Sequence, residues 1–400
     1  MRQAWLAIDI GTENIYAVVF KTNPTQIVLS LKRPSLGVHR GVISNVEEVS
    51  KSLDKILDEV SSALNTNVLR GVVCLGGNRI ETRKSKGIAI ISNDNNEING
   101  EDISRAQQSS QSFSLPANRN LIHIVPQKFF VDGVEVMDNP VGMAGMRLEV
   151  ESLIVDAFMP DIRNIDNVLH NVGFKQDAMV VNTLAGACGS LTRQEKELGS
   201  ITIDLGAGTT SFSIFEEGNL VYMKVIPIGQ DYITKDIGLW LQISYNNAEN
   251  IKLNVGDAMS LKVDKKEMVN LGSFVSGEDK NFSRKELAEV IEARAEQIFN
   301  FINEELKFIG KYANLPGGVV LYGGGANLPH IADLAKEKLK LPVRIAHPQF
   351  DGLIETDPGF VNAVGSIQWY LDEEINNNSQ INSKGGVFGS IKKLFKNFNP

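Results

Sequence analysis

A segment rich in glycine and threonine lies at the middle of the sequence, between two runs of alternating apolar residues. It reads Asp204, Leu205, Gly206, Ala207, Gly208, Thr209 and Thr210. The flanking pattern predicts a β-hairpin with the glycines at its tip. Glycines let successive backbone N–H groups approach phosphate oxygens, and an aspartate at a strand end can hold a hydrated magnesium ion. The segment is typical of a phosphate-binding loop, although an ordinary glycine-rich turn explains it equally well when it is taken alone.

The same design occurs near the N-terminus, in a hairpin that contains Asp9, Ile10, Gly11, Thr12, Glu13 and Asn14. Two hairpins of one design predict two related halves that clamp one phosphate chain. A third cluster, made of Gly323, Gly324, Gly325 and Ala326, follows the apolar run from Val319 to Tyr322. Ligands of open α/β sheets lie beyond the carboxyl ends of strands, so a flat adenine can lie against this backbone. The three clusters together favour an ATP cleft between two α/β halves.

The elements that must position these loops also follow from the sequence. Asn45 is the expected N-cap of a helix from Val46 to Leu64, and Ser283 that of a long helix from Arg284 to Tyr312. The stretch from Arg79 to Ala157 interrupts the strand–helix rhythm, and we interpret it as an inserted α+β subdomain.

Composition narrows the possible functions. The chain has 400 residues, 42% of them hydrophobic, and a net charge of −8. A negative net charge argues against nucleic acid as the main partner. The two cysteines and five histidines are scattered without metal-ligand spacing, so neither a disulfide framework nor a metal cluster is expected. No apolar run is long enough to predict a membrane span.

The C-terminal tail differs from the body in composition. Residues 373–386 are rich in Asn, Ser and Gly and predict a flexible linker. The segment 387–400 predicts an amphipathic helix that inserts among lipid tails while its lysines meet anionic head groups. A terminal helix docked on the body is the alternative, and the polar linker argues against it. The expected membrane-binding residues are Val387, Phe388, Ile391, Lys392, Lys393, Leu394, Phe395, Lys396 and Phe398.

The three glycine clusters resemble the two phosphate loops and the adenosine loop of the actin-like ATPase superfamily. Within it, the chain is similar to the FtsA family of cell-division proteins over almost its whole length. The more specific matches are 195–199, 226–229, 233–237, 248–252, 138–143 and the amphipathic tail. The resemblance implies an α/β, actin-like fold: two RNase H-like halves around a nucleotide cleft, with an inserted α+β subdomain called 1C and an amphipathic C-terminal helix.

The resemblance also implies a division into subdomains. The expected boundaries are 1–78 and 158–198 for subdomain 1A, 79–157 for 1C, 199–235 and 316–360 for 2A, 236–315 for 2B, 361–372 for a final helix, 373–386 for the linker and 387–400 for the membrane helix.

Residue roles carry over position by position. Asp9 and Asp204 would order Mg²⁺ through water, and Glu249 and Lys252 would hold the adenosine. A solvated helical ion pair is the alternative for Glu249 and Lys252. The full set implied to bind ATP is Asp9, Gly11, Thr12, Glu13, Asn14, Asp204, Gly206, Ala207, Gly208, Thr209, Thr210, Glu249, Lys252, Gly323, Gly324, Gly325 and Ala326.

The implied function is that of an ATP-binding protein that polymerises with itself on the inner face of the cytoplasmic membrane at the division septum. It would tether FtsZ to anionic lipids and recruit later divisome proteins through subdomain 1C. Arg294 would meet the acidic C-terminal peptide of FtsZ, or would instead pair with Glu292 or Glu296. The alternative functions are a small-molecule kinase and a pilus-assembly ATPase of the same superfamily.

Three residues depart from the family pattern. Gln230 stands where the family often has a second glycine, and Glu13 brings a negative charge to the first phosphate loop. Asn182 stands where related ATPases have a residue that activates water. Because an amide can orient water but cannot act as a general base, we expect slow or negligible hydrolysis.

Overall fold

The computed structural model describes residues 4–92, 95–111, 115–136 and 139–382. The described chain contains both strands and helices. In order, the elements are β1 (Ala4–Ile10), β2 (Asn14–Thr22), β3 (Thr25–Pro34), β4 (Val38–His39), β5 (Val42–Ile43), α1 (Val46–Leu64), β6 (Arg70–Leu75), β7 (Ile80–Ile90), α2 (Gly100–Ser109), β8 (Arg119–Val131), β9 (Val134–Val136), β10 (Arg147–Phe158), α3 (Met159–Asn171), β11 (Lys175–Val181), α4 (Asn182–Ser190), α5 (Arg193–Leu198), β12 (Ser200–Leu205), β13 (Thr210–Glu216), β14 (Asn219–Ile226), α6 (Gln230–Leu241), α7 (Tyr245–Val255), β15 (Met268–Asn270), β16 (Asn281–Ser283), α8 (Arg284–Phe308), β17 (Gly318–Tyr322), α9 (Ile331–Leu339), β18 (Val343–Ile345) and α10 (Val361–Asn382).

Two five-stranded sheets of the same topology form the body. Their strand orders are β3-β2-β1-β6-β11 and β14-β13-β12-β17-β18. In the first sheet, β1, β2 and β3 pair antiparallel, and β6 and β11 add in parallel on the other side of β1. The second sheet repeats this arrangement, with β12, β13 and β14 antiparallel and with β17 and β18 parallel beside β12. The sheet of β1 with its helices is called the first half below, and the sheet of β12 with its helices the second half. The repeated order confirms the prediction of two related halves, because each glycine hairpin opens the same five-stranded unit.

Helices α4 and α10 cross closely between the two sheets. Small residues make this possible, since a Cβ at Gly365 would lie 1.8 Å from the carbonyl oxygen of Ala185. Helix α10 packs on β1, β2 and β6, whereas α4 also contacts β12 and β13 of the second half. This helix pair therefore joins the sheets of the two halves.

Helix α1 shows how local sequence sets an element. Asn45 caps it in an extended conformation, and its side chain accepts hydrogen bonds from the N–H groups of Glu47 and Glu48. The buried side chains recur at helical spacing and lie on the face that packs into the first half. The predicted cap and both predicted ends are confirmed.

The inserted segment folds as a separate unit. Strands β7, β10, β8 and β9 form an antiparallel sheet in that order, and α2 covers one face. A small core of its own includes Ile98, Leu148 and Val150. The side-chain amide of Gln127 donates to the carbonyl oxygen of Leu220, which ties the insertion to β14 of the second half. The α+β character predicted for this segment is confirmed.

Two helix ends differ from prediction. Helix α8 ends at Phe308 rather than Tyr312, because Gly310 adopts a positive φ of 72° and Lys311 N–H bonds back to Leu306 O at 2.7 Å. Helix α10 continues beyond residue 372 to Asn382, so the first part of the predicted linker is helical. The polar residues there include neither Gly nor Pro, which would have ended the helix. The predicted membrane helix at 387–400 lies outside the described residues.

No helix in the part of the chain that the structure describes combines the length and apolar character needed to cross a membrane.

His123 fixes the insertion against the first half. Its Nε2 accepts the N–H of Val181 at 3.2 Å, and its ring packs edge-on against Trp369. Burial lowers the pKa of His123 to about 4, from an ordinary value of 6.5. The unprotonated ring is therefore the form that the fold holds, because a protonated Nε2 cannot accept the bond.

We expect His123 to make the protein acid-labile. A lowered pKa contributes stability that is complete above about pH 6.5 and is lost as the pH falls towards 4. Between pH 7 and pH 5 the contribution of His123 to the free energy of unfolding should fall by about 1–2 kcal/mol. The buried acids Asp9 and Asp204, whose pKa values are raised, act in the opposite sense. Urea titrations of the wild type and of His123→Gln at both pH values isolate the histidine. If the stability difference between the two proteins does not change with pH, His123 does not act in this way.

Candidate functional site

The two predicted phosphate loops have the same hydrogen-bonded turn. Gly11 N–H donates to Asn14 O at 3.0 Å, and Gly206 N–H donates to Thr209 O at 3.0 Å. A Cβ at either glycine would lie within 2.8 Å of the accepting oxygen, so each turn needs glycine. Each turn therefore leaves backbone N–H groups at the tip of a hairpin, as the chemistry of phosphate binding requires.

The tips of the two loops touch. A Cβ at Gly208 would lie 2.6 Å from Thr12 Oγ1 and 2.8 Å from the Cα of Arg40. The same Thr12 oxygen accepts a hydrogen bond from Gly41 N–H at 2.9 Å. Because that oxygen is already an acceptor, its hydroxyl proton can be donated to a ligand.

Helix α6 begins directly on the second loop. The N–H groups of Gln230 and Asp231 donate to the carbonyl oxygens of Gly206 and Ala207, at 3.0 and 2.9 Å. Gly229 allows this approach, since a Cβ there would lie 2.2 Å from Ala207 O. Gly229, which directly precedes Gln230, therefore makes a backbone contact that only glycine allows.

Asp9 and Asp204 occupy equivalent positions near the ends of β1 and β12, and both are buried. One amide joins them: Nδ2 of Asn362 lies 3.1 Å from Asp9 Oδ2 and 2.9 Å from Asp204 Oδ2. Burial raises the pKa of both carboxyl groups, and the hydrogen bond from Asn362 partly offsets this by lowering both pKa values. The negative charge of Asp9 raises the pKa of Asp204 further. Two carboxylates from opposite halves thus share one amide donor.

The third glycine cluster lies beside this acidic pair. Gly323 has a φ of 86°, and a Cβ there would lie 2.2 Å from Asp204 Oδ1. Gly325 packs on the side chain of Gln230, whose Cγ would lie 2.6 Å from a Cβ at that glycine. The predicted adenosine loop is therefore joined to the second phosphate loop through a residue that departs from the family pattern.

Glu249 and Lys252 form a buried network. Lys252 Nζ lies 2.7 Å from Glu249 Oε2 and donates to Thr234 Oγ1 at 2.9 Å, while the Thr234 hydroxyl donates to Glu249. The side chains of Lys252 and Glu249 are only 7% and 12% exposed. The alternative of a solvated ion pair is therefore wrong.

We expect Lys252→Met to destabilise the protein by on the order of 3 kcal/mol, because it leaves the Glu249 carboxylate buried without its cation. The double variant Glu249→Gln/Lys252→Met should recover part of this loss, since neither charge is then buried. Lys51→Met is the matched control: Lys51 pairs with Glu47 at a comparable 2.6 Å, but the two side chains are 67% and 77% exposed. Its free energy of unfolding, measured in urea, should equal that of the wild type. Equal effects of Lys51→Met and Lys252→Met would contradict this account.

The cleft residues are electrostatically coupled across the two halves. Burial raises the pKa of Glu13, the charge of Glu249 raises it further, and Lys252 lowers it. The charges of Glu249 and Lys252 on α7 therefore act on Glu13 of the first loop. Asn182 lies at the start of α4, and its Nδ2 would be 3.0 Å from a Cβ at Gly76.

Arg294 lies on α8, and neither of its predicted ion-pair partners is correct. Its guanidinium forms two hydrogen bonds with Asp236 of α6, at 2.6 and 3.0 Å. Glu292 instead accepts the N–H of Ser260, and Glu296 pairs with Lys338. The partner lies on another helix because helices α6 and α8 pack side by side.

Three residues of the site were not found from the sequence: Arg40, Thr234 and Asn362. Asn362 has a signal in retrospect, since it is a polar residue in the apolar run Val361 to Val364 and is buried. Arg40 has none, because a single arginine in a short hairpin is an ordinary surface feature.

Comparison with known proteins places these features in a class. A family model described as "Cell division protein FtsA" matches residues 201–365, and one described as "SHS2 domain inserted in FTSA" matches 77–156. The FtsA of Borreliella burgdorferi is 32% identical over 98% of this chain and 98% of its own. That of Bacillus subtilis is 31% identical over 92% of this chain and 83% of its own.

Solved structures show the same fold at low identity. The PilM–PilN type IV pilus biogenesis complex superimposes with a TM-score of 0.64 at 14% identity, covering 91% of this chain and 98% of that one. MreB5 of Spiroplasma citri bound to ADP gives a TM-score of 0.55 at 15% identity, covering 94% and 99%. The doubled sheet and its facing glycine loops thus define an actin-like protein. Within that class, the chain belongs to the FtsA family of cell-division proteins.

Proposed function

We propose that this protein binds ATP in the cleft, polymerises on the inner face of the cytoplasmic membrane at the septum and tethers FtsZ there. The single observation that carries the nucleotide part is the meeting of both glycine loops over one acidic pair. The relative of known structure that is bound to ADP has the same fold, which supports the proposal. Family membership favours this function over a small-molecule kinase or a pilus-assembly ATPase.

The cleft residues fit a nucleotide with a hydrated Mg²⁺. The loop N–H groups and Thr12 suit the phosphates, and the network of Glu249, Lys252 and Thr234 suits the adenosine. Among the described residues, no group of three or more His, Cys, Asp or Glu side chains could hold a metal ion. Two carboxylates suit a cation held through its water shell, so Asp9 and Asp204 would order Mg²⁺ indirectly. The buried Asn362 Oδ1, which has no partner in the described structure, could accept from one of those waters.

Hydrolysis should be slow. Asn182, which lies beside Gly76, is the candidate for orienting a water, and an amide cannot take its proton. Nucleotide would then act mainly as a structural ligand that joins the halves.

The partner surfaces are proposals from the family. Arg294 remains the candidate for FtsZ, and its side chain is 26% exposed, so an acidic peptide could reach it only by competing with Asp236. Subdomain 1C, the inserted unit, is the candidate for later divisome proteins. Longitudinal contacts between copies would form the filament.

Anchoring is proposed for the segment 387–400, where Lys392, Lys393 and Lys396 would contribute about 1 kcal/mol each at an anionic surface. The test is co-sedimentation with phosphatidylglycerol vesicles in the presence of ATP. The full chain should pellet, whereas a chain that ends at Asn382 should stay in solution. The full chain with all three lysines changed to glutamate is the matched control for charge, and it should bind weakly. A full chain that stays in solution would contradict the tether.

A further inference from the structure

We propose that Arg40 binds the terminal phosphate of the nucleotide and so makes the cleft prefer a triphosphate to a diphosphate. The inference rests on the proposed nucleotide function and adds a residue and a specificity to it.

Arg40 is held where the two phosphate loops meet. It lies between β4 and β5 and has a positive φ of 50°. The N–H of the next residue, Gly41, donates a hydrogen bond to Thr12 of the first loop. The Cα of Arg40 lies against Gly208 of the second loop. A side chain that begins at this junction lies beside a phosphate held between the loops, rather than beside the sugar.

The charge of Arg40 is not neutralised. Its guanidinium makes no ion pair with any carboxylate of the described residues, and it donates instead to the hydroxyl oxygen of Tyr232 at 2.5 Å. Lys32 and Lys252 are, in contrast, each paired with a carboxylate at 2.8 and 2.7 Å. Arg40 is therefore a cation without a counter-ion at a junction built from N–H donors, which is the setting that an anionic ligand completes.

The Tyr232 hydroxyl accepts a hydrogen bond from the guanidinium that a phosphate would compete for. An ionised phosphate attracts a guanidinium more strongly than a neutral tyrosine hydroxyl does, and it can accept two parallel N–H bonds from the guanidinium at once. The guanidinium would therefore exchange the tyrosine hydroxyl for the phosphate. The Tyr232 ring also lies 5.6 Å from the guanidinium of Arg294, so this exchange would change the surroundings of α8.

The test uses the full-length protein with Mg²⁺ and measures the Kd of ATP and of ADP by competition against a fluorescent ATP analogue. Arg40→Gln should weaken the affinity for ATP about 30-fold, which is within the range for a charged hydrogen bond. It should weaken the affinity for ADP less than about threefold. Arg40→Lys should give an intermediate loss, because the ammonium lacks the bidentate fork. Tyr232→Phe should lower the Kd of ATP, because the Arg40 guanidinium no longer bonds the tyrosine hydroxyl.

Arg147→Gln is the matched control. It removes the same charge from β10 of the insertion, where the side chain is 48% exposed, and should leave both Kd values unchanged. Equal weakening of ATP and ADP by Arg40→Gln, or no weakening of either, would overturn the inference while nucleotide binding stands. Failure of the wild type to bind either nucleotide would remove the proposed site as well, so the two failures are distinguishable.

Discussion

Gly208→Ala should weaken ATP binding at least about 100-fold, which corresponds to about 2.7 kcal/mol. The added methyl group would lie 2.6 Å from Thr12 Oγ1 and 2.8 Å from the Cα of Arg40. Both neighbours belong to the first half, and the Arg40 contact is with backbone, which cannot rotate away. The second loop must therefore move from the first, and the phosphate chain loses one of its two sets of N–H donors. Fluorescent-nucleotide titration measures the loss.

Gly100→Ala is the matched control for this substitution. Gly100 is the first residue of α2, and a Cβ there would meet nothing within 4 Å. This variant should bind ATP like the wild type. Equal ATP affinity in Gly208→Ala and Gly100→Ala would show that the two loops do not act on one ligand.

Gly365→Ala should cause the largest loss of stability, about 3 kcal/mol or more. Its Cβ would lie 1.8 Å from Ala185 O and 2.7 Å from Gly189 N, so both clashes are with the backbone of α4. Overpacking of a close contact typically costs about 1–3 kcal/mol, and the excess here reflects that two helix backbones must separate. Because α4 also packs on β12 and β13, the change should loosen the union of the two halves.

Urea unfolding followed by circular dichroism measures this effect, and Gly100→Ala again serves as the control. A Gly365→Ala protein as stable as that control would mean that α4 and α10 do not cross at the distance seen here. A partial rescue by a further change at Ala185 is not expected, since the clash is with its carbonyl oxygen rather than its side chain.

Local patterns predicted the local elements well. The cap and both ends of α1 follow from Asn45 and from apolar residues at helical spacing, and the two hairpins follow from alternation around glycine. The repeat of Asp9 and Gly11 at Asp204 and Gly206 predicted the doubled sheet. The cap and the hairpins depend on residues that are close in the sequence, and the two halves were predicted because one local design occurs twice.

Several side-chain contacts between residues that are distant in the sequence were not predicted. Asn362 meets Asp9 across 353 positions and Asp204 across 158, and no local pattern encodes such a meeting. The buried network of Glu249 and Lys252 includes Thr234 of a different helix, so the spacing of the pair on α7 did not exclude the alternative of a solvated ion pair. Arg294 of α8 pairs with Asp236 of α6, which is likewise on a different helix. In each case tertiary packing decides the partner.

The central claim is that the two halves clamp one nucleotide between their glycine loops, and calorimetric titration of the full-length protein with ATP and Mg²⁺ tests it most directly. We predict saturable binding of one ATP per chain, weakened at least about 100-fold in Gly208→Ala and retained in Gly100→Ala. Absence of binding at millimolar ATP, in a protein whose circular dichroism shows it to be folded, would contradict the claim.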